Sequence, residues 1–318
     1  MSGKRKGISG SGGGRSLLIL SVFSRFSVLV LLCLFALWTE YLNLKVGYNS
    51  PRLVELAQGK AMRTFYETSD TFFGWFGDPV SVMQKNGGMT WSIRVGGLAF
   101  TDPVAGLSVF LRNHFLPIEF ALGLIIPLLL AVLFGRVFCT YICPASLLFF
   151  TIARIRRLLS KFFYFPELEA PRGLAWGVLL GGLIAALMTG HGIWILLLPY
   201  FGIGQTIFHA LAFGTLSIAI GSVAVFAMID LCLGRNFTCR YLCPTGRLLG
   251  CIGRKSLVGV RREADLCLPK CTSCTDICPL NVNPKFDQTL DCSLCGECLV
   301  VCPTNCLSIG VKHRETAA

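Results

Sequence analysis

The residues whose types and spacing could do chemistry lie near the end of the chain. Cys267, Cys271, Cys274 and Cys278-Pro279 are followed by Cys292, Cys295, Cys298 and Cys302-Pro303. The second run is a complete C-x2-C-x2-C-x3-C-P, and the first is the same run with one extra residue in its opening interval. Such spacing wraps three thiolates around one iron–sulfur cube and sends the fourth to a neighbouring cube. The expectation is two [4Fe-4S] clusters, one on Cys267, Cys271, Cys274 and Cys302, the other on Cys278, Cys292, Cys295 and Cys298. Four cysteines also suit zinc, but two tandem runs ending in Cys-Pro point to iron. The extra residue leaves Cys267 open as first ligand, and Cys306 reads as a packed thiol. A lobe this small has little core and depends on bound metal to fold.

A second repeat lies upstream. Gly135-Arg136-Val137-Phe138-Cys139-Thr140-Tyr141-Ile142-Cys143-Pro144 is matched by Gly234-Arg235-Asn236-Phe237-Thr238-Cys239-Arg240-Tyr241-Leu242-Cys243-Pro244, with Thr238 as an insertion. If the chain is helical up to each proline, cysteines at i and i+4 share a face. Two such faces brought together supply four thiolates, Cys139, Cys143, Cys239 and Cys243, to a third [4Fe-4S] cluster. Redox-active thiol pairs and plain packing are the other readings.

The elements that must position these cysteines are apolar. The chain is 53% hydrophobic, and four runs approach the ~20 residues needed to cross a bilayer. The expected fold is a membrane all-α protein with four transmembrane helices and a C-terminal cytoplasmic two-cluster ferredoxin-like (α+β) lobe. Its expected order is a disordered basic N-terminus (1–16), helix 1 (17–38), an extracytoplasmic loop with an interfacial segment (39–119) and helix 2 (120–137). A cytoplasmic loop with the first cysteine pair (138–173), helix 3 (174–198), helix 4 (207–231), the second pair with a linker (232–260) and the ferredoxin-like lobe (261–318) complete it. Arg25 falls inside the first span, so it either snorkels to the interface or marks a later start. Basic residues cluster before the first span and after the second and fourth. Positive-inside bias then puts both termini in the cytoplasm of a multi-pass protein of a bacterial-type inner membrane. The net charge of +12 flanks apolar spans, so anionic lipid rather than nucleic acid accounts for it.

The C-x3-C-P motifs at span ends, followed by a two-cluster ferredoxin lobe, resemble the NapH-type membrane ferredoxins. The resemblance extends to the C-terminal half of NosR-type proteins and to CcoG/YccM-type polyferredoxins. It covers roughly residues 93–310, and it matches Cys139, Cys143, Cys239, Cys243 and the eight lobe cysteines to the family's motifs. What it implies is quinol oxidation or electron relay between the membrane quinone pool and a partner redox protein or complex, as a quinol dehydrogenase subunit. An accessory reductase for a partner's metal or flavin centre and a non-enzymatic scaffold of a membrane redox complex are the alternatives.

A quinol site needs an apolar slot and groups that accept protons as electrons leave. Asp102, His191 and His209 are the candidates, all expected near the outer face; the two histidines also suit haem. An outer site would lie roughly 30 Å from cytoplasmic clusters, and no internal cofactor bridges that gap in the sequence.

Overall fold

The structure, a computed structural model, describes residues 8–89, 92–171, 173–284 and 291–311. After β1 (Ile8–Ser9) comes α1 (Gly10–Gly47), 38 residues and so ~57 Å long. Proline-free and rich in Leu, Phe and Val, α1 is long and apolar enough to cross a membrane. It overruns the expected 17–38 span at both ends. Residues 1–7 lie outside the described residues, but 8–16 are folded, correcting the expected disorder up to residue 16. The reason is close packing: a Cβ at Gly14 would lie 2.8 Å from Val300 Cγ2 in the C-terminal lobe.

The far end of α1 carries α2 (Pro51–Gln58), α3 (Lys60–Gly74) and α4 (Pro79–Lys85) around buried Tyr41, Tyr66, Phe73 and Met83. An antiparallel sheet follows, β2 (Gly87–Met89), β3 (Ser92–Val95) and β4 (Leu98–Thr101), with Ile93 opposite Phe100. Gly96 and Gly97, both at positive φ, make its tight β3–β4 turn.

The chain then enters α5 (Pro103–Asn113) and α6 (Ile118–Phe134). Strand β4 lies directly on α6 because Gly123 has no side chain; a Cβ there would sit 1.8 Å from the Ala99 carbonyl oxygen. The segment 95–111, expected as interfacial within the 39–119 loop, is strand, cap and short helix.

Next come α7 (Val137–Tyr141), α8 (Ala145–Leu159), α9 (Gly173–Thr189), a 3-10 turn (His191–Ile193), α10 (Trp194–Leu197), α11 (Pro199–Ala212) and α12 (Ala219–Cys232). The expected span 207–231 is two helices. Gly214 adopts a positive φ after α11, and the Ser217 hydroxyl accepts the Ala219 N–H at the start of α12. The expected span 174–198 likewise ends as a helix at Thr189. Ile118–Phe134, Gly173–Thr189 and Ala219–Cys232 are apolar helices shorter than α1. A core shared by α5, α8, α9, α10 and α11, against which α12 packs, holds Val104, Phe149, Leu179, Trp194, Leu198 and Phe201, where each fully buried large side chain contributes roughly 1.5–3 kcal/mol.

A π-helical turn (Thr238–Leu242) leads to α13 (Pro244–Ile252). The lobe comprises β5 (Val258–Arg262), α14 (Ser273–Ile277), α15 (Glu297–Val300) and β6 (Leu307–Val311). Its antiparallel sheet runs β1-β6-β5, with Val260 opposite Ile309. The first residues of α1 and the C-terminal lobe therefore form one packed unit.

Candidate functional site

The two C-x3-C-P copies meet inside the helical part. Cys139 lies in α7 and Cys143 just beyond it, whereas Cys239 sits in the π-turn and Cys243 caps α13, where Pro244 needs no N–H partner. The inserted Thr238 explains the difference between the copies: one extra residue in a helical turn is absorbed as a π-turn. Asp230 Oδ1 accepts the Thr238 N–H at 2.7 Å and holds that turn in place. Cys143 and Cys239 pack against the same core, and Arg136, three residues before Cys139, reaches the Cys239 carbonyl, so the two motifs lie side by side. Among the described residues, no three His, Cys, Asp or Glu side chains converge on a point that would hold a single metal ion.

Arg136 is buried, its side chain only 1% exposed. Its Nη2 donates to the Cys239 carbonyl at 2.7 Å and its Nη1 to Asp291 Oδ1 at 2.8 Å, beside Cys292 of the lobe. The equivalent arginine of the second copy, Arg235, donates to the Asp276 carbonyl at 2.7 Å and pairs with Glu167. That guanidinium holds the Glu167 carboxyl below the usual carboxylate range. Tyr141 adds a third clasp, its hydroxyl donating to the Leu294 carbonyl at 3.1 Å. Both repeat copies thus grip the lobe through an arginine.

Arg25 is neither snorkelled nor at a helix start. It is buried, its Nε donating to the Thr140 carbonyl at 2.5 Å and its guanidinium lying 4.2 Å over the Phe150 ring. A cation at the carbonyl end of α7 is favourable there.

The lobe cysteines sort into two cavities. Cys278, Cys292, Cys295 and Cys298 line one, walled by Val260, Leu280 and Val282. Its loop is tightly wound, with Leu294 and Gly296 both at positive φ. Cys267, Cys271, Cys274 and Cys302 line the other, together with Cys306. Burial pushes the Cys278, Cys295 and Cys298 thiols up. Four thiol donors around an apolar cavity fit an iron–sulfur cube, whose binding takes up thiolates and releases their protons. The first cavity meets the helical part at Leu294, whose carbonyl accepts the Tyr141 hydroxyl.

Asp102 sits beside the cysteine motifs. It is buried at the start of α5, where Oδ1 accepts the N–H groups of Val104 and Ala105 at 2.9 and 3.1 Å. The Thr245 hydroxyl, two residues past Cys243, lies 3.3 Å from the same oxygen, and the Tyr200 hydroxyl lies 3.2 Å from that of Thr245. Asp102 Oδ2 is buried without a hydrogen-bond partner. It belongs to the wall of a cavity of about 240 Å³ lined by Leu32, Phe100, Ile126, Phe138, Pro144 and Tyr200 among others. An apolar slot with one polar corner therefore abuts the Cys143-Pro144 end of the first motif.

His209 is not brought there. It lies nine residues past Tyr200 on α11, ~13 Å along the helix axis, edge-on to Phe208 and tilted against Phe213. The backbone of His191 is in the 3-10 turn, and its side chain lies outside the described residues. Sequence reasoning missed Thr245, Tyr200 and Arg136. The G-R in both motif copies was the available signal for Arg136; no local pattern marks the other two.

Fold and cysteine geometry define a mostly helical protein with a C-terminal ferredoxin domain. A family model described as a 4Fe-4S binding domain matches it twice, over residues 116–162 and 211–262. Each match contains one C-x3-C-P motif and the helix before it. The chain is 27% identical over 255 residues to the ferredoxin-type protein NapH of Escherichia coli (strain K12), covering 76% of this chain and 84% of that protein. It is 30% identical over 199 residues to the methylamine utilization ferredoxin-type protein MauN of Paracoccus denitrificans, covering 61% and 66%. To the putative electron transport protein YccM of Escherichia coli it is 26% identical over 284 residues, covering 84% and 75%. No solved structure matches. The chain is thus similar to NapH-like ferredoxin-type proteins and carries a 4Fe-4S binding-domain match in each motif copy.

Proposed function

We propose that this chain draws electrons from a membrane quinol beside its four-cysteine site and passes them through the lobe to a partner redox protein. The observation that carries the reading is Asp102: a buried carboxylate with one unpaired oxygen, in an apolar cavity against Cys143-Pro144, hydrogen-bonded to Thr245 beside Cys243.

A quinol headgroup would occupy the apolar slot and present a hydroxyl to Asp102 Oδ2. The carboxylate would accept the quinol's two protons one at a time, as its two electrons leave singly for the cluster held by the four cysteines, and the hydroxyls of Thr245 and Tyr200 offer each proton a path away. Cys139, Cys143, Cys239 and Cys243 would hold a third [4Fe-4S] cluster, a reading supported by the two family matches falling on these motifs. Cys278, Cys292, Cys295 and Cys298 would hold the proximal lobe cluster, and Cys267, Cys271, Cys274 and Cys302 the distal one. When bound, such clusters supply one-electron carriers whose potentials depend on burial and on hydrogen bonds to sulfur. Arg136 offsets the negative charge of the four thiolates while tying them to the proximal lobe loop.

This arrangement removes the ~30 Å gap that an outer Asp102 would have left. The start of α1 packs on the lobe, which supports both termini lying on one side; the flanking basic residues favour the cytoplasmic side of an inner membrane. The test is stopped-flow reduction of the purified protein by a quinol analogue. Reduction at the Asp102 cavity is abolished by a quinone-site inhibitor, whereas dithionite reduces the same centres regardless.

A further inference from the structure

We propose that Cys306 is a fifth thiol of the distal iron–sulfur site and can replace Cys267 as ligand. The inference rests on the cluster reading above and adds to it a residue that no motif assigns.

Two independent features fall on the same cavity. The first cysteine run is irregular only at its opening interval, so Cys267 is the ligand whose position departs from the regular pattern. The cavity that Cys267 lines is also the one with a surplus thiol, since Cys306 joins Cys267, Cys271, Cys274 and Cys302 there. The proximal cavity, whose four cysteines include the regular run's first three, is lined by four thiols and no fifth.

Cys306 is also the better anchored of the two. It directly precedes β6, its carbonyl accepts the Glu263 N–H at 2.9 Å, and Arg262 and Leu307 pair next to it. Cys267 follows a short 3-10 turn in an irregular stretch with no strand partner of its own. At 5% exposure Cys306 is closed off from water, and its Sγ lies 3.5 Å from Cys302 Sγ. Cys267 lines the same cavity. A buried thiol between two ligands can enter the metal's shell with little backbone movement. In the exchange one iron–sulfur bond breaks at Cys267 and one forms at Cys306. The Cys306 proton passes to the released Cys267 thiolate, so no electron is gained or lost.

The test uses the full-length protein in detergent, as wild type, Cys267→Ala and Cys267→Ala/Cys306→Ala, with iron and sulfide counts and EPR redox titration. Cys267→Ala is expected to keep the wild-type iron count and shift the midpoint potential of one centre. The double variant is expected to lose about four iron while the proximal signal persists and reports a folded lobe. An equal loss in Cys267→Ala alone, or full iron in the double variant, overturns the proposal. If the double variant does not fold, Cys267→Ala/Cys306→Ser carries the test. A distal potential below that of Cys267→Ala supports ligation by residue 306, and an unchanged potential overturns it. Wild-type protein without iron would instead remove the cluster reading itself.

Discussion

Arg136 and Asp291, 155 positions apart in sequence, meet at 2.8 Å with the guanidinium buried and the carboxylate one-third exposed. The pair joins the first C-x3-C-P motif to the loop that carries Cys292. Removing a buried charge's partner is costly, but water at Asp291 softens the effect. Arg136→Gln is therefore expected to destabilise lobe docking by about 1–3 kcal/mol and to slow quinol-driven reduction of the lobe. Asp291→Asn should do less. Limited proteolysis between helices and lobe, alongside stopped-flow rates, checks both.

Asp102 has two jobs that one substitution separates. Asn is as good an N-cap as Asp, so Asp102→Asn keeps α5 but cannot take a proton. Its quinol-driven rate should fall by ~10²-fold or more, with dithionite reduction unchanged. Tyr200→Phe should reduce the rate less. His209→Ala should leave it at wild-type level, because His209 is not in the cavity wall. A full rate in Asp102→Asn would remove Asp102 from the reaction.

Gly123 sets where Asp102 sits. A methyl at this position meets the Ala99 carbonyl at 1.8 Å, so β4 must move and take its neighbour Asp102 with it. Gly123→Ala should cost about 1–3 kcal/mol, as overpacking does. It should also weaken binding of a quinol analogue while leaving iron content intact. Titration of the analogue against thermal stability measures both effects.

The lobe should depend on its metal more than the helices do. Its core is small, and cysteines line much of it: Cys274 and Cys306 pack with Val260, Leu294, Leu299, Leu307 and Ile309. Removing iron with a chelator is expected to open the lobe to protease from residue 258 onward. The helical signal of the apolar segments should persist in circular dichroism.

What could be read from the sequence was what is local. The C-P runs marked the lobe, and the G-R-x-F…C-x-Y repeat marked a duplicated unit because each is a short contiguous pattern. The surroundings of Asp102 were not legible because its neighbours come from afar: Thr245 from α13, Tyr200 from α11, and a strand seat made by one glycine of α6. Arg25 looked like a misfit in an apolar helix because its acceptor, the Thr140 carbonyl, is 115 residues away. The long apolar run 207–231 concealed a break, since hydropathy does not register the conformation of Gly214 or the cap made by Ser217. The inserted Thr238 was visible in the alignment of the two copies, but its outcome as a π-turn depends on Asp230 accepting its N–H.

The most direct test of the central claim is anaerobic purification in mild detergent, with iron and sulfide counts and EPR before and after a menaquinol analogue. The account predicts about twelve iron per chain, from two lobe clusters and one on Cys139, Cys143, Cys239 and Cys243. It also predicts signals that appear on adding the quinol and fail to appear in Asp102→Asn. Iron-loaded protein whose centres respond to dithionite but never to quinol would contradict it.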